Sequence, residues 1–333
     1  MKHRISMLTL GGTIAMTPGA AQGAVVPKLD AADLLRAIPE LDRLDIELTA
    51  FDFRRLPSPD IGFAVLAELA DLIEREIQAG ATGIVVTQGT DTIEETSYFL
   101  DRTIGGDTPI VVTGAMRHPS QASADGPANL LAAIRVAADP KARGLGCVVV
   151  MSDEIHAARY VRKSHSTSTA AFTSPNAAPI GLIVEQELVL LSRPRPCPPL
   201  SRGPKLPDTS IGMMHAALGD NGEWLKPFAE HTDGLVIAGF GGGHVPSRLV
   251  PTLAELARAK PVVLASRTGS GAVLRRTYGY PGSEQDLLSR GLINAGFLDP
   301  FKARVLLHVL VAAGASHAEI TRAFHESGEI QVS

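Results

Sequence analysis

Five short apolar runs, at residues 4–10, 46–51, 83–87, 109–113 and 146–151, punctuate the first half of the chain. Between them lie stretches such as Ala64–Ile77 and Asn129–Ala138, whose apolar residues recur at helical spacing. Near-continuous apolar strands alternating with amphipathic helices predict a mainly parallel sheet flanked by helices. Asp30 is placed to cap a helix that Pro39 stops, and Asp125 opens another with Pro127 in its first turn. Between Ser192 and Ser210 the chain turns proline-rich, which excludes regular helix or central strand. Beyond it, Gly234–Ala238 and Pro261–Ala265 repeat the strand pattern, with helices expected at Pro246–Ala259, Pro300–Ala313 and His317–His325. The expected organisation is a larger N-terminal α/β domain over 1–191, a linker over 192–210 and a smaller C-terminal α/β domain over 211–333.

Composition narrows the classes. A chain of 333 residues can bury two cores, and 45% hydrophobic with 20% charged residues is ordinary for a globular protein. A net charge of −4 offers no footprint for nucleic acid or an anionic membrane surface. No run approaches about 18 apolar residues, and Lys2 and Arg4 ahead of a short apolar run do not resemble a cleavable signal. Cys147 and Cys197 give neither a disulfide framework nor a metal spacing, so a cytoplasmic location is expected. The ten histidines are scattered; His156, His165 and His244 are weak metal candidates, and a reaction without metal or cofactor is expected.

Two strand ends carry the candidate chemistry. Val85-Val86-Thr87-Gln88-Gly89-Thr90-Asp91-Thr92 runs from a buried strand into hydroxyl, amide and acid groups, and Glu94-Glu95 then reads as the exposed first turn of a helix. Ile5-Ser6-Met7-Leu8-Thr9-Leu10 likewise ends in Gly11-Gly12-Thr13-Ile14-Ala15, whose paired glycines allow close approach of a substrate to Thr13. Crevices at the carboxyl ends of parallel strands are where ligands bind in open α/β sheets. A tight turn that happens to contain threonine explains either motif alone; both together point to a nucleophilic site.

These two stretches resemble the signatures of the bacterial-type L-asparaginases and glutaminase-asparaginases. Gly114-Ala115-Met116-Arg117, Ser123-Ala124-Asp125-Gly126-Pro127, Phe297-Leu298-Asp299-Pro300 and Lys302-Ala303-Arg304-Val305-Leu306-Leu307 are similar to that family in the same order. The resemblance covers about residues 4 to 310. It implies that Thr13 attacks a side-chain carboxamide to give an acyl-enzyme, with Thr90, Asp91 and Lys163 as a second, triad-like group. It implies substrate contacts from Gly12, Gly89, Ser58 and the backbone of Ala115. It also implies a homo-oligomer, a dimer of dimers, in which Glu284 of a neighbouring copy reaches the amino group of a small amino-acid substrate.

Several of these residues also have a plain structural role open to them. Lys163 falls in Arg159-Tyr160-Val161-Arg162-Lys163, which could be a solvated basic face, whereas a desolvated lysine could serve Thr90 as a base. Ser58, in Leu56-Pro57-Ser58-Pro59-Asp60, could simply cap a helix starting at Ile61. Phe240-Gly241-Gly242-Gly243-His244 lacks dinucleotide-fingerprint spacing, and His244 stands where the family has an asparagine. The glycine- and alanine-rich stretch Met16–Lys28 suits a mobile lid but has no tyrosine; the family's lid tyrosine falls near Ala24, with Tyr278 or Tyr280 as distant substitutes. The expected activity is hydrolysis of L-asparagine to L-aspartate and ammonia. The alternatives are a related amidohydrolase acting on L-glutamine, D-asparagine or another amide, or a non-catalytic amino-acid-binding relative that has lost the lid tyrosine.

Overall fold

A computed structural model describes residues 2–18, 25–27 and 29–329. It divides into two compact units, one reaching to Pro199 and the other beginning at Leu200. The first unit runs β1 (His3–Thr9), β2 (Met16–Pro18), β3 (Val25–Pro27), α1 (Ala31–Arg36), β4 (Ile46–Asp52), α2 (Phe63–Gln78), β5 (Gly83–Thr87) and α3 (Ile93–Thr103). It continues through β6 (Ile110–Thr113), α4 (Gly126–Ala138), β7 (Cys147–Met151), β8 (Glu154–Ala157), β9 (Arg162–Lys163), β10 (Phe172–Thr173), β11 (Gly181–Val184) and β12 (Glu187–Leu190).

Eight of these strands form one sheet in the order β12-β11-β8-β7-β6-β5-β1-β4. Neighbours from β4 through β7 are parallel, whereas β8, β11 and β12 add antiparallel. The antiparallel side goes beyond the sequence expectation because these strands are only four residues long. Register aligns the strand ends: Thr9 lies opposite Thr87, and Thr87 opposite Thr113, so three strands end level with one another. Met7, Val85, Val111 and Val148 share a core with Leu130, Ala133 and Ile134 of α4. The alternate residues Leu8, Val86, Val112 and Val149 face the other side, where α3 packs, by the two-residue period of a strand. Burial on both faces is why these strands read as unbroken apolar runs.

Asp30 caps α1 with a reciprocal bond from Asp33, as its position before the apolar pattern predicts. Glu94 corrects the reading of α3 as having an acidic solvent face, for it is 7% exposed and α3 is buried nearly all round. Residues 192–210 form no helix, and Arg193 donates to the carbonyls of Lys141 and Arg143.

The second unit runs β13 (Ile211–His215), α5 (Leu225–Glu230), β14 (Gly234–Gly239), α6 (Val250–Ala259), β15 (Val262–Ser266), α7 (Glu284–Ser289), β16 (Ile293–Asn294), α8 (Pro300–Ala312) and α9 (His317–Ser327). Its sheet, β13-β14-β15-β16, is parallel throughout, with Leu235, Ile237 and Leu264 packed against Leu225, Leu253 and Leu287. Asp299 caps α8 by accepting from the N–H groups of Phe301 and Lys302. No helix of the described residues is long and apolar enough to cross a membrane.

Candidate active site

The level strand ends bring three loops together. Gly11 and Gly12 lie at φ 96° and 85°, a conformation that disfavours any residue with a Cβ. A Cβ on Gly12 would come within 2.1 Å of the Gly89 backbone nitrogen, so the turn bearing Thr13 and the turn bearing Thr90 touch backbone to backbone. Thr13 opens the short 3-10 helix Thr13–Ala15 and is half-buried. A Cβ on Gly114 would meet the Gln88 carbonyl at 2.6 Å, which sets the loop bearing the fully buried Ala115 against the same turn.

Ser58 completes this floor. A Cβ on Gly89 would lie 2.7 Å from Ser58 Oγ, and that oxygen accepts from the Asp91 backbone N–H at 3.3 Å. Thr92 Oγ1 donates to the Ser58 carbonyl at 3.2 Å. The reading of Ser58 as a cap for the following helix is overturned: α2 starts at Phe63 behind Gly62, with no side-chain cap.

Lys163 reaches the same place from β9, which pairs with β10 so that Lys163 faces Phe172. Its Nζ donates to Thr90 Oγ1 at 2.9 Å and to Asp91 Oδ1 at 2.5 Å. The lysine side chain is 13% exposed and the Asp91 side chain 60% exposed, so the ion pair opens to solvent on the aspartate side. A solvated basic face is excluded here: Arg159 is buried, 3.8 Å from Asp101 and over the Tyr160 ring. Thr90, itself buried, is therefore hydrogen-bonded to a cation whose partner is Asp91.

Glu284 belongs to the second unit, at the start of α7, and is wholly buried. Its Oε1 accepts from the backbone N–H groups of Thr277 and Tyr278, both at 2.8 Å. Its Oε2 lies 3.3 Å from His244 Nε2, without hydrogen-bond alignment. Burial pushes this carboxyl up, but the N–H groups of Tyr278, Thr277 and Glu284 itself, with His244, outweigh it and hold the group below its ordinary value. His244 packs edge-on against Tyr278 and Tyr280, with centroids 5.0 and 5.6 Å apart. Sequence reasoning named these residues singly and missed the cluster; the close spacing Tyr278-Gly279-Tyr280 was its only local signal.

Residues 19–24 and 28 of the lid stretch, Ala24 included, lie outside the described residues. Among the described residues no group of three His, Cys, Asp or Glu is placed to hold a metal ion.

The family profile described as "Asparaginase, N-terminal" matches residues 4–196, and "Glutaminase/Asparaginase C-terminal domain" matches residues 210–324. The chain belongs to the asparaginase family. As a member of this family it is an amidohydrolase. A "Probable L-asparaginase" of Deinococcus radiodurans is 38% identical over 325 residues, covering 96% of this chain and 97% of the relative. A "Glutaminase-asparaginase" of Pseudomonas fluorescens is 31% identical, covering 97% and 90%. The solved structure of a "Probable Cytoplasmic L-asparaginase" from Campylobacter jejuni superposes with a TM-score of 0.86 at 30% identity, covering 97% of this chain and 99% of that one.

Proposed function

We propose that this asparaginase-family chain hydrolyses L-asparagine to L-aspartate and ammonia through a threonyl ester. The observation that carries the reading is the contact of Lys163 Nζ with both Thr90 Oγ1 and Asp91 Oδ1, next to the Gly12–Gly89 contact that adjoins the Thr13 turn. In this mechanism Thr13 Oγ1 adds to the side-chain carboxamide carbonyl, the C–N bond breaks, and ammonia leaves with the added proton. Thr90 and Lys163 then relay a proton from water as it attacks the ester, releasing L-aspartate and restoring the Thr13 hydroxyl. Asp91 keeps the lysine directed at Thr90.

Gly12, Gly89 and Ala115 supply backbone to the pocket. The Ser58 hydroxyl, whose oxygen already accepts from Asp91 N–H, has its own hydrogen to donate to the substrate carboxylate. The resemblance supports a dimer of dimers in which Glu284 of a neighbouring copy completes the site. A binding-only protein has no chemical need for a hydroxyl bonded to a half-buried lysine, and that bond favours the enzyme.

Ammonia release from L-asparagine, with L-glutamine and D-asparagine in parallel, tests the proposal. A hydrophobic pocket distinguishes one methylene by only about 1–3 kcal/mol, so slower turnover of L-glutamine is expected beside it. Turnover of L-asparagine that disappears in both Thr13→Ala and Thr90→Val supports the mechanism. Folded protein that releases no ammonia from any of the three amides overturns it.

A further inference from the structure

The ammonium of Lys163 ends a flexible chain of four methylenes, so its meeting with Thr90 depends on where the β9–β10 hairpin is held. We propose that Ser152, anchored by Asn129, is a positioning residue that holds this hairpin in place for Lys163. The inference rests on the reading of Lys163 as part of the reacting group.

Asn129 lies in the first turns of α4, is 3% exposed, and bridges three segments. Its Nδ2 donates to the Gly114 carbonyl and to Asp125 Oδ2, each at 3.1 Å. Its Oδ1 accepts from the Ser152 backbone N–H at 2.9 Å. Asp125 in turn accepts from the N–H groups of Met116 and Arg117, so this network fixes the Ala115 loop as well.

Ser152 and Asp153 form the turn between β7 and β8 with φ of 51° and 62°, left-handed values that L-residues rarely adopt. The bond that the Ser152 N–H donates to Asn129 ties the backbone of this turn to α4. Ser152 Oγ donates to the Thr169 carbonyl at 2.6 Å, in the connection between β9 and β10. That bond serves neither α4 nor the sheet; it links the turn only to the hairpin. On the far leg, Ser174 Oγ lies 3.0 Å from His156 Nδ1, closing the hairpin against β8. The strained turn is thus a strut from the Ala115 loop to the strand that bears Lys163. A displacement of about 1 Å in a reacting group can cost about 10²-fold in rate, so a strut of this kind bears on turnover.

The test is a double-mutant cycle on the full chain. Glycine adopts the left-handed conformation freely, so Ser152→Gly removes the hydroxyl without adding strain. We expect kcat for L-asparagine to fall about tenfold or more, with KM within about threefold and an unchanged melting temperature. In a Lys163→Met background the same substitution is expected to have no further effect on the residual rate, which a merely structural role would not produce. Asn129→Ala should show a larger loss of the same kind; if it does not fold, the Ser152 cycle decides alone. A Ser152→Gly rate within twofold of the parent, or losses that multiply independently of Lys163, overturns the strut. Full activity in Lys163→Met alone would instead remove the reading of Lys163, and the strut with it.

Discussion

Asp91 and Glu284, one in each unit, are carboxylates set up in opposite ways. Asp91 is exposed and meets a lysine 72 residues away, brought to it by sheet register and by a hairpin. Glu284 is sealed from solvent, and its bonds go to backbone N–H groups six and seven residues upstream. The first contact requires that separate loops converge; the second is made within one local segment. The difference teaches where stability and activity should separate. Side chains at the strand ends of the large unit can change with little cost to folding, while Glu284 is part of the structure that holds its own loop.

The backbone contact beneath the first site gives the sharpest break. Gly12→Ala places a Cβ 2.1 Å from the Gly89 nitrogen at a φ of 85°, so a loss above about 3 kcal/mol in denaturant unfolding and no measurable turnover are expected. Lys163→Met should act on chemistry alone: kcat falls on the order of 10³-fold while the melting temperature stays within a few degrees. If the two move together, the contrast between the units fails. Glu284→Ala should cost its own unit stability, leaving two backbone N–H groups without their acceptor at about 2–4 kcal/mol, read by thermal melting, and should lower turnover as well, because the proposed oligomer sets Glu284 at the substrate.

Acid should weaken both units by one mechanism. His156 and His308 are buried and pushed down to about 4, by burial in both cases, with the Leu206 carbonyl opposing it at His308. An unfolded histidine binds its proton near 6.5, so between that pH and about 4 the unfolded state holds more protons and stability falls as pH falls. The expected loss is on the order of a few kcal/mol per histidine, and His156→Gln should flatten part of the slope in melting temperature measured from pH 7 to 4.5. The depressed carboxyl of Glu284 has a later window: its contribution is complete above its ordinary 4.5 and is lost as pH falls below that value. A slope confined to pH below 4.5 would count against the two histidines.

Much of the fold was legible because buried parallel strands announce themselves as apolar runs and helices by their period. The 83–87 run became β5 at Gly83–Thr87, and the pattern over Ala64–Ile77 became α2 at Phe63–Gln78. The short antiparallel strands escaped, since four residues carry too little pattern to distinguish strand from loop. Glu94 misled because an acid in a first helical turn ordinarily faces water, and only the packing of α3 buries it. Ser58 read equally as a helix cap or a site residue, and only the folded chain sets it against the Gly89 turn. Asn129 and Ser152 carried no local mark at all, because their meaning lies in bonds to distant backbone groups.

The order of apolar and polar residues, the glycine pairs and the hydroxyl groups after strand ends are local properties, and they set the architecture and the candidate chemistry. Which of those groups meet is a matter of long-range register. The level ends of β1, β5 and β6, the touching turns of Gly12 and Gly89, and the hairpin that carries Lys163 to Thr90 arise only when strands pair and helices pack. Hydrogen bonds act over about 3 Å, so the few positions that form the candidate site are fixed by the folded backbone rather than by their spacing along the chain.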